Sequence, residues 1–187
     1  MPRQVFPKPY ADFVQRLRVP SGIVLVAAFV FLSSPSPAGF WAGLPLVAAG
    51  LAHRTWAAGH LRKNQALTTS GPYAWHRNPL YAGTLLAALG CAAAGGGGLL
   101  LAFVAVVFLL VYLPVMQLEE QKLSELFPDY AEYARRVPQL LPKRPAAPSP
   151  ERFSWDVWAM NKEWKGIAAF VVLYLFLFAK SHAAPAL

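Results

Sequence analysis

Two long stretches of the chain contain no charged residue. Val19 to Ala52 gives thirty-four consecutive positions without Lys, Arg, Asp or Glu, and Pro79 to Leu118 gives forty. A bilayer core of about 30 Å is crossed by about 20 helical residues, so each stretch is long enough for two crossings. Each is also broken near its middle. Ser33-Ser34-Pro35-Ser36-Pro37 is a turn-forming cluster that a helix interior would not carry, and Gly95-Gly96-Gly97-Gly98 suits a tight turn between antiparallel helices. The pattern predicts helices near 18–33, 39–60, 79–95 and 98–118. A fifth apolar run, 166–179, is short, and Trp164, Lys165 and Lys180 around it act as interfacial anchors. The fold class expected is an all-α integral membrane protein with about five transmembrane helices. Residues 1–150 form its core of four helices and polar segments, and residues 151–187 form a C-terminal interfacial segment with the fifth helix.

Composition agrees with this pattern. The chain is 56% hydrophobic and 14% charged, against about 25% charged in a soluble domain. Soluble, disordered and fibrous classes are excluded. The net charge of +8 would suggest nucleic acid in a soluble protein, but its distribution gives another reason. Sixteen of the seventeen basic residues, among them Arg3, Arg18, Arg54, Arg62 and Arg77, fall on one predicted side, and only Lys180 falls beyond the last helix. The positive-inside rule makes that side cytoplasmic. The expected partners are membrane lipids and no nucleic acid. The expected location is a bacterial inner membrane, with the N-terminus and the polar segments facing the cytoplasm. One cysteine, Cys91, lies in an apolar run and reads as packing.

The polar segments carry the candidate chemistry. Thr68 to Tyr81 (TTSGPYAWHRNPLY) is a turn rich in aromatic side chains beside a membrane helix. Glu119 to Arg144 continues the fourth helix and then starts an amphipathic one after Pro128, with Tyr130, Ala134 and Val137 on one face. No P-loop or dinucleotide glycine pattern occurs. His53 and His60, seven apart, share a helix face and read as interfacial hydrogen-bonding groups; no metal is expected. Glu119-Glu120 stands out, because paired carboxylates at the end of an apolar helix are costly unless something compensates them. A carboxylate among aromatic rings could hold a cationic ligand, since cations favour both carboxylates and π-faces. An ordinary solvated helix end would show the same residues.

Residues 68–83, with Ser70-Gly71-Pro72-Tyr73 followed by Arg77-Asn78-Pro79-Leu80-Tyr81-Ala82-Gly83, resemble the first signature of the isoprenylcysteine carboxyl methyltransferase family. Glu119-Glu120-Gln121-Lys122-Leu123, Phe127, Tyr130, Tyr133 and Val137-Pro138 resemble the second. The wider group includes phospholipid N-methyltransferases. The resemblance implies an S-adenosylmethionine-dependent methyltransferase acting on a lipophilic small-molecule or lipid acceptor reached from the bilayer. By matching position it implies cofactor contacts at Gln65, Ala66, Leu67, Thr68, Tyr73, Asn78, Pro79, Leu80, Tyr81 and Glu119, with Arg77 and Glu120 as the catalytic residues. Asn78 stands where the family usually has histidine, and Pro128 where it has glycine. Val115 stands where the eukaryotic enzymes carry an arginine that handles the substrate carboxylate. Val115 and Met116 are therefore expected to line an apolar acceptor pocket suited to a neutral or amine-bearing lipophile. The competing readings are a phospholipid or amine N-methyltransferase, a nicotinamide-dependent membrane reductase, and a catalytically silent relative.

Overall fold

A computed structural model describes residues 5–145 and 151–183. The helices are α1 (Lys8–Leu32), α2 (Pro37–Ala58), α3 (Pro79–Ala94), α4 (Gly98–Leu126), α5 (Tyr130–Arg136), α6 (Trp155–Met160) and α7 (Trp164–Ala183), with a 3-10 turn at Gly71–Ala74. Among the described residues there is no strand. The fold is an all-α integral membrane one. α1, α4 and α7 are long and apolar enough to cross a bilayer. α3 is a shorter apolar helix, and α2, although 22 residues long, carries His53 and Arg54. Arg3, Pro148, Pro150, the expected boundary at residue 150 and the C-terminal residue Leu187 lie outside the described residues.

α1 begins ten residues before its expected start. The charges on residues 8–18 hide a stripe at helical spacing: Ala11 and Val14 are buried, and Tyr10 and Leu17 pack with Val14 against Phe108, Val115 and Met116 of α4. Gln117 of α4 fixes the chain just ahead of α1. Its side-chain oxygen accepts from the Val5 and Phe6 amides at 2.7 and 2.9 Å, and its Nε2 donates to Phe6 O at 2.8 Å.

α2 and α3 make the tightest helix contact, and small residues are the cause. Gly43 and Gly50 of α2 face Gly90 and Gly83 of α3. A Cβ on Gly50 would lie 2.6 Å from Gly83 O, and one on Gly90 would lie 2.7 Å from Val47 N. In lipid, where no hydrophobic force presses helices together, close backbone packing of this kind supplies the attraction. α3 and α4 turn over through Gly96 and Gly97, whose φ values of 94° and 124° suit glycine.

α4 is continuous but not uniform. Pro114 has no amide hydrogen, so the carbonyl of Leu110 lacks its i+4 donor. The helix widens into a π turn over Phe108–Tyr112, with Leu113 N donating to Phe108 O. Tyr10 Oη of α1 donates to the freed Leu110 carbonyl at 2.6 Å.

The C-terminal segment closes the bundle. Asn161 Nδ2 donates to Ala58 O and Leu61 O at 2.9 and 2.8 Å, satisfying carbonyls at the end of α2. Phe153 covers Gly59. Tyr174 of α7 donates to Phe40 O, and Lys180 donates to Val30 O and Ser33 Oγ at the opposite end.

Candidate functional site

The two polar segments singled out in the sequence form one unit at the N-terminal end of α3. The loop from Tyr73 to Asn78 is docked on residues 133–143 by backbone bonds: Arg77 N to Pro138 O (2.9 Å), Asn78 N to Gln139 O (3.2 Å) and Lys143 N to Trp75 O (2.9 Å). Tyr133 Oη adds a bond to Tyr73 O at 2.7 Å. The segment after α5, extended by its prolines, thus serves as a backing strip for the loop.

Glu119 and Glu120 have different environments because successive helix positions are rotated by about 100°. Glu120 points inward and is 3% exposed. It accepts from Arg77 Nε and Nη2, both at 3.0 Å, and from Asn78 Nδ2 at 2.9 Å. Arg77 Nη1 donates to Ala134 O at 2.7 Å. Arg77 and Glu120, the expected catalytic residues, form a bidentate buried pair that ties loop, α4 and α5 together. Asn78 completes it, so the asparagine does a definite structural task where the family has histidine.

Glu119 faces out, with its side chain 41% exposed. Tyr81 Oη donates to it at 2.9 Å, and Arg18 of α1 reaches it at 3.1 Å. The Arg18 guanidinium also lies 5.4 Å from the centroid of the Tyr81 ring. Tyr73 is near enough to feel this carboxylate. Burial first, then Tyr133 and Glu119, push its phenol well above the usual tyrosine range, so it stays protonated. Of the expected cofactor residues, Tyr81 and Glu119 are bonded to each other, Tyr73 is buried in the adjoining loop, and Pro79 and Leu80 begin α3.

Gln65, Ala66, Leu67 and Thr68 belong to a turn that is held locally. The amides of Gln65 and Ala66 donate to Arg62 O, and Thr68 Oγ1 accepts from Arg62 N. Val115 and Met116, expected on the wall of an acceptor pocket, are 0% exposed inside the cluster between α1 and α4.

A groove of about 400 Å³ opens elsewhere, between α1, α3, α4 and α7. It runs from Val19, Thr84 and Tyr112 near the loop end to Phe29, Cys91 and Leu173, and apart from Thr84, Cys91 and Tyr112 its walls are apolar. An aromatic series joins it to Glu119. Phe108 stacks with Tyr112 (centroids 6.0 Å), Tyr112 meets Tyr81 edge-on (5.8 Å), and Tyr81 bonds Glu119. The π turn of α4 carries both Phe108 and Tyr112.

Three further polar clusters surround the site. Arg54 of α2 donates from Nε to Glu163 Oε1 at 2.5 Å, from Nη1 to Leu80 O at 3.2 Å, and to Thr84 Oγ1. His53 and His76 stack nearly parallel, with their Nε2 atoms 3.0 Å apart. Burial and the neighbouring His53 ring push His76 down to about 4, so it is neutral at physiological pH. His60 pairs with Ser70 Oγ, which donates to Glu151 at 2.8 Å. The two histidines expected on one face, His53 and His60, serve separate contacts because α2 ends at Ala58. Among the described residues no group of three or more His, Cys, Asp or Glu could hold a metal ion.

The Glu119 site suits a ligand that carries a cation. A half-exposed carboxylate, a tyrosine hydroxyl already bonded to it and the face of that same ring form a cation receptor, and the guanidinium of Arg18 stands in it. A ligand ammonium would present the same charge to the same acceptor. Sequence reasoning missed Arg18, which counted only as a topogenic charge. The shared position of Glu119 and Arg18 depends on how α1 packs on α4.

Residues 38–130 match the phospholipid methyltransferase family. The cobalt-zinc-cadmium resistance protein CzcN of Cupriavidus metallidurans is 42% identical over 92 residues, 48% of this chain and 43% of that protein. The nickel-cobalt-cadmium resistance protein NccN of Alcaligenes xylosoxydans xylosoxydans is 36% identical over 92 residues, with the same shares. The chain thus aligns with less than half the length of these relatives. No solved structure matches it. The family match contains Arg77, Glu119 and Glu120, whereas Arg18 and Glu163 lie outside it.

Proposed function

Residues 38–130 belong to the phospholipid methyltransferase family, and from that premise we propose that the protein is a membrane methyltransferase using S-adenosylmethionine on a lipophilic acceptor reached from the bilayer. The carrying observation is the pairing of two features in one bundle: the cation receptor at Glu119 and Tyr81, and the apolar groove joined to it through Tyr112. When bound, the cofactor supplies an electrophilic methyl group on a sulfonium. Glu119 would hold its ammonium, and the rings of Tyr81 and Tyr112 would favour positive charge beside them. The closed pair of Arg77 and Glu120 acts on position: with Asn78 it fixes the loop that presents Tyr73 and the start of α3. The buried, protonated phenol of Tyr73 adds no competing anion. Transfer from a sulfonium requires chiefly alignment and exclusion of water, which a rigid loop above an apolar groove provides. The groove takes over the role expected of Val115 and Met116. The polar loops face the cytoplasm in this reading, as the basic residues direct.

The names of the relatives attach them to resistance against cobalt, zinc, cadmium and nickel. For this chain the corresponding proposal is a methyltransferase that contributes to such resistance, to be tested by growth of a deletion strain on cadmium.

Titration of the purified protein with S-adenosylmethionine and with NADPH separates the methyltransferase reading from the reductase reading. Saturable binding of the first alone is expected. Glu119→Ala should weaken it by about 1.5–3 kcal/mol, the value of a charge-assisted hydrogen bond, while Lys180→Ala at the opposite end leaves it unchanged. Equal affinity in Glu119→Ala and the unmodified protein would remove the assignment.

A further inference from the structure

Arg18 lies at the meeting point of the two sites. It precedes Val19, the groove residue nearest the loop end, and it reaches Glu119 at 3.1 Å across the face of Tyr81. Its side chain is 47% exposed, and that of Glu119 41%. An ion pair so wet is held weakly. The helix beneath it is fixed, because Gln117 clamps Val5 and Phe6 and Tyr10 bonds Leu110. Arg18 can therefore change partner by a change of rotamer, with no movement of α1.

Two other arginines beside the site are committed to buried partners: Arg77 is engaged by Glu120 and Ala134, and Arg54 by Glu163, Leu80 and Thr84. A ligand ammonium at Glu119 would compete with Arg18 for the same carboxylate and leave the guanidinium without an anion, beside the end of an apolar groove. A guanidinium in that position is matched by an oxyanion, carboxylate or phosphate, carried on an apolar chain.

We propose that Arg18 is a partner-exchanging cation: it occupies Glu119 while the cofactor ammonium is absent, and turns to the oxyanion of an amphiphilic acceptor when that ammonium displaces it. This rests on the methyltransferase reading above and deepens it by naming the residue that would receive an acceptor's oxyanion and the event that frees it. It reverses the expectation of a neutral or amine-bearing lipophile drawn from Val115, since the cation missing from α4 is supplied by α1. It also makes the two ligands cooperative. The cofactor releases the residue that the acceptor needs, and by linkage the acceptor tightens the cofactor by the same factor.

The test is equilibrium binding to the full chain in nanodiscs, with no turnover. Fluorescent C12 amphiphiles bearing a carboxylate, a phosphate monoester or a primary amine are titrated alone, with saturating S-adenosylhomocysteine, and with methylthioadenosine, which lacks the ammonium. S-adenosylhomocysteine should tighten the anionic probes by about tenfold, the value of one charge-assisted bond, and leave the amine probe unchanged or weaker. Methylthioadenosine should do neither. The carboxylate and phosphate arms show which oxyanion fits better. Arg18→Gln should remove the head-group preference and the coupling while binding S-adenosylhomocysteine at least as tightly as the unmodified protein, and Arg18→Lys should restore part of both. Retained coupling in Arg18→Gln, or binding of S-adenosylhomocysteine without coupling in the unmodified protein, overturns the exchange and leaves the methyltransferase reading intact. Failure of the unmodified protein to bind S-adenosylhomocysteine overturns both.

Discussion

Glu119 and Glu120 are adjacent residues with opposite demands. Glu120 is enclosed with Arg77 and Asn78, so Glu120→Ala leaves a guanidinium buried without its anion. A loss of about 3–5 kcal/mol is expected, read as a lowered thermal midpoint in detergent. Glu119→Ala removes a half-exposed group and should leave that midpoint close to the unmodified value, which separates a binding residue from a positioning one. His76 adds a pH dependence. Above its ordinary value of 6.5 the imidazole is neutral in both folded and unfolded chains. Between 6.5 and about 4 the unfolded chain takes up a proton that the folded protein refuses, because burial and His53 oppose it. Its contribution is complete above 6.5 and is lost as the pH falls through that window. The thermal midpoint of His76→Asn should therefore decline less between pH 6.5 and 4 than that of the unmodified protein.

At the scale of elements, the α2–α3 contact is set by glycines and not by large side chains. A Cβ on Gly43 would run into the Gly90 carbonyl, and neither backbone can yield without breaking helix bonds. Gly43→Ala is expected to destabilise by about 1–3 kcal/mol through overpacking. Gly98→Ala, where a Cβ meets nothing within 4 Å, should be close to neutral in the same thermal assay. The proline of α4 acts on the groove in a comparable local way. By removing one amide hydrogen, Pro114 produces the π turn that carries Phe108 and Tyr112 on the groove wall, and Tyr10 satisfies the carbonyl left over. Restoring the amide hydrogen would alter a wall and a helix contact together.

For the whole molecule, the C-terminal segment completes the bundle. Glu163 lies beyond the family match and supplies the counter-charge for Arg54, whose Nη1 also holds the start of α3 at Leu80 O. Glu163→Ala should cost about 3–5 kcal/mol by leaving that guanidinium unpaired, a loss visible in thermal unfolding of the full chain. In the five-crossing reading drawn from the hydropathy pattern, with α7 as the fifth crossing, the basic residues would place the two termini on opposite sides. A reporter fused after Leu187 that is active only in the cytoplasm should be silent, and the same reporter ahead of Met1 active. Activity at both ends would require an even number of crossings.

Hydropathy and turn chemistry settled the class, the breaks at residues 33–37 and 95–98, and the two polar segments that form the site. Each depends on local composition, which a sequence displays directly. The family resemblance also named Tyr81 and Glu119, and the fold bonds the two because Tyr81 lies in the first turn of α3 and Glu119 near the end of a helix packed beside it. Residue type alone could not assign the two glutamates: a helix turns 100° per residue, and which carboxylate faces Arg77 depends on the rotation of α4 in the bundle. The start of α1 was hidden because charged positions masked a buried stripe. Arg18 and Glu163 came into view only in three dimensions, since each acts on a partner about a hundred residues away, and a single chain carries no local mark of such pairs. Val115 and Met116 are enclosed for the same reason: the N-terminal half of α1 covers the face of α4 that their sequence neighbours seemed to offer to the lipid.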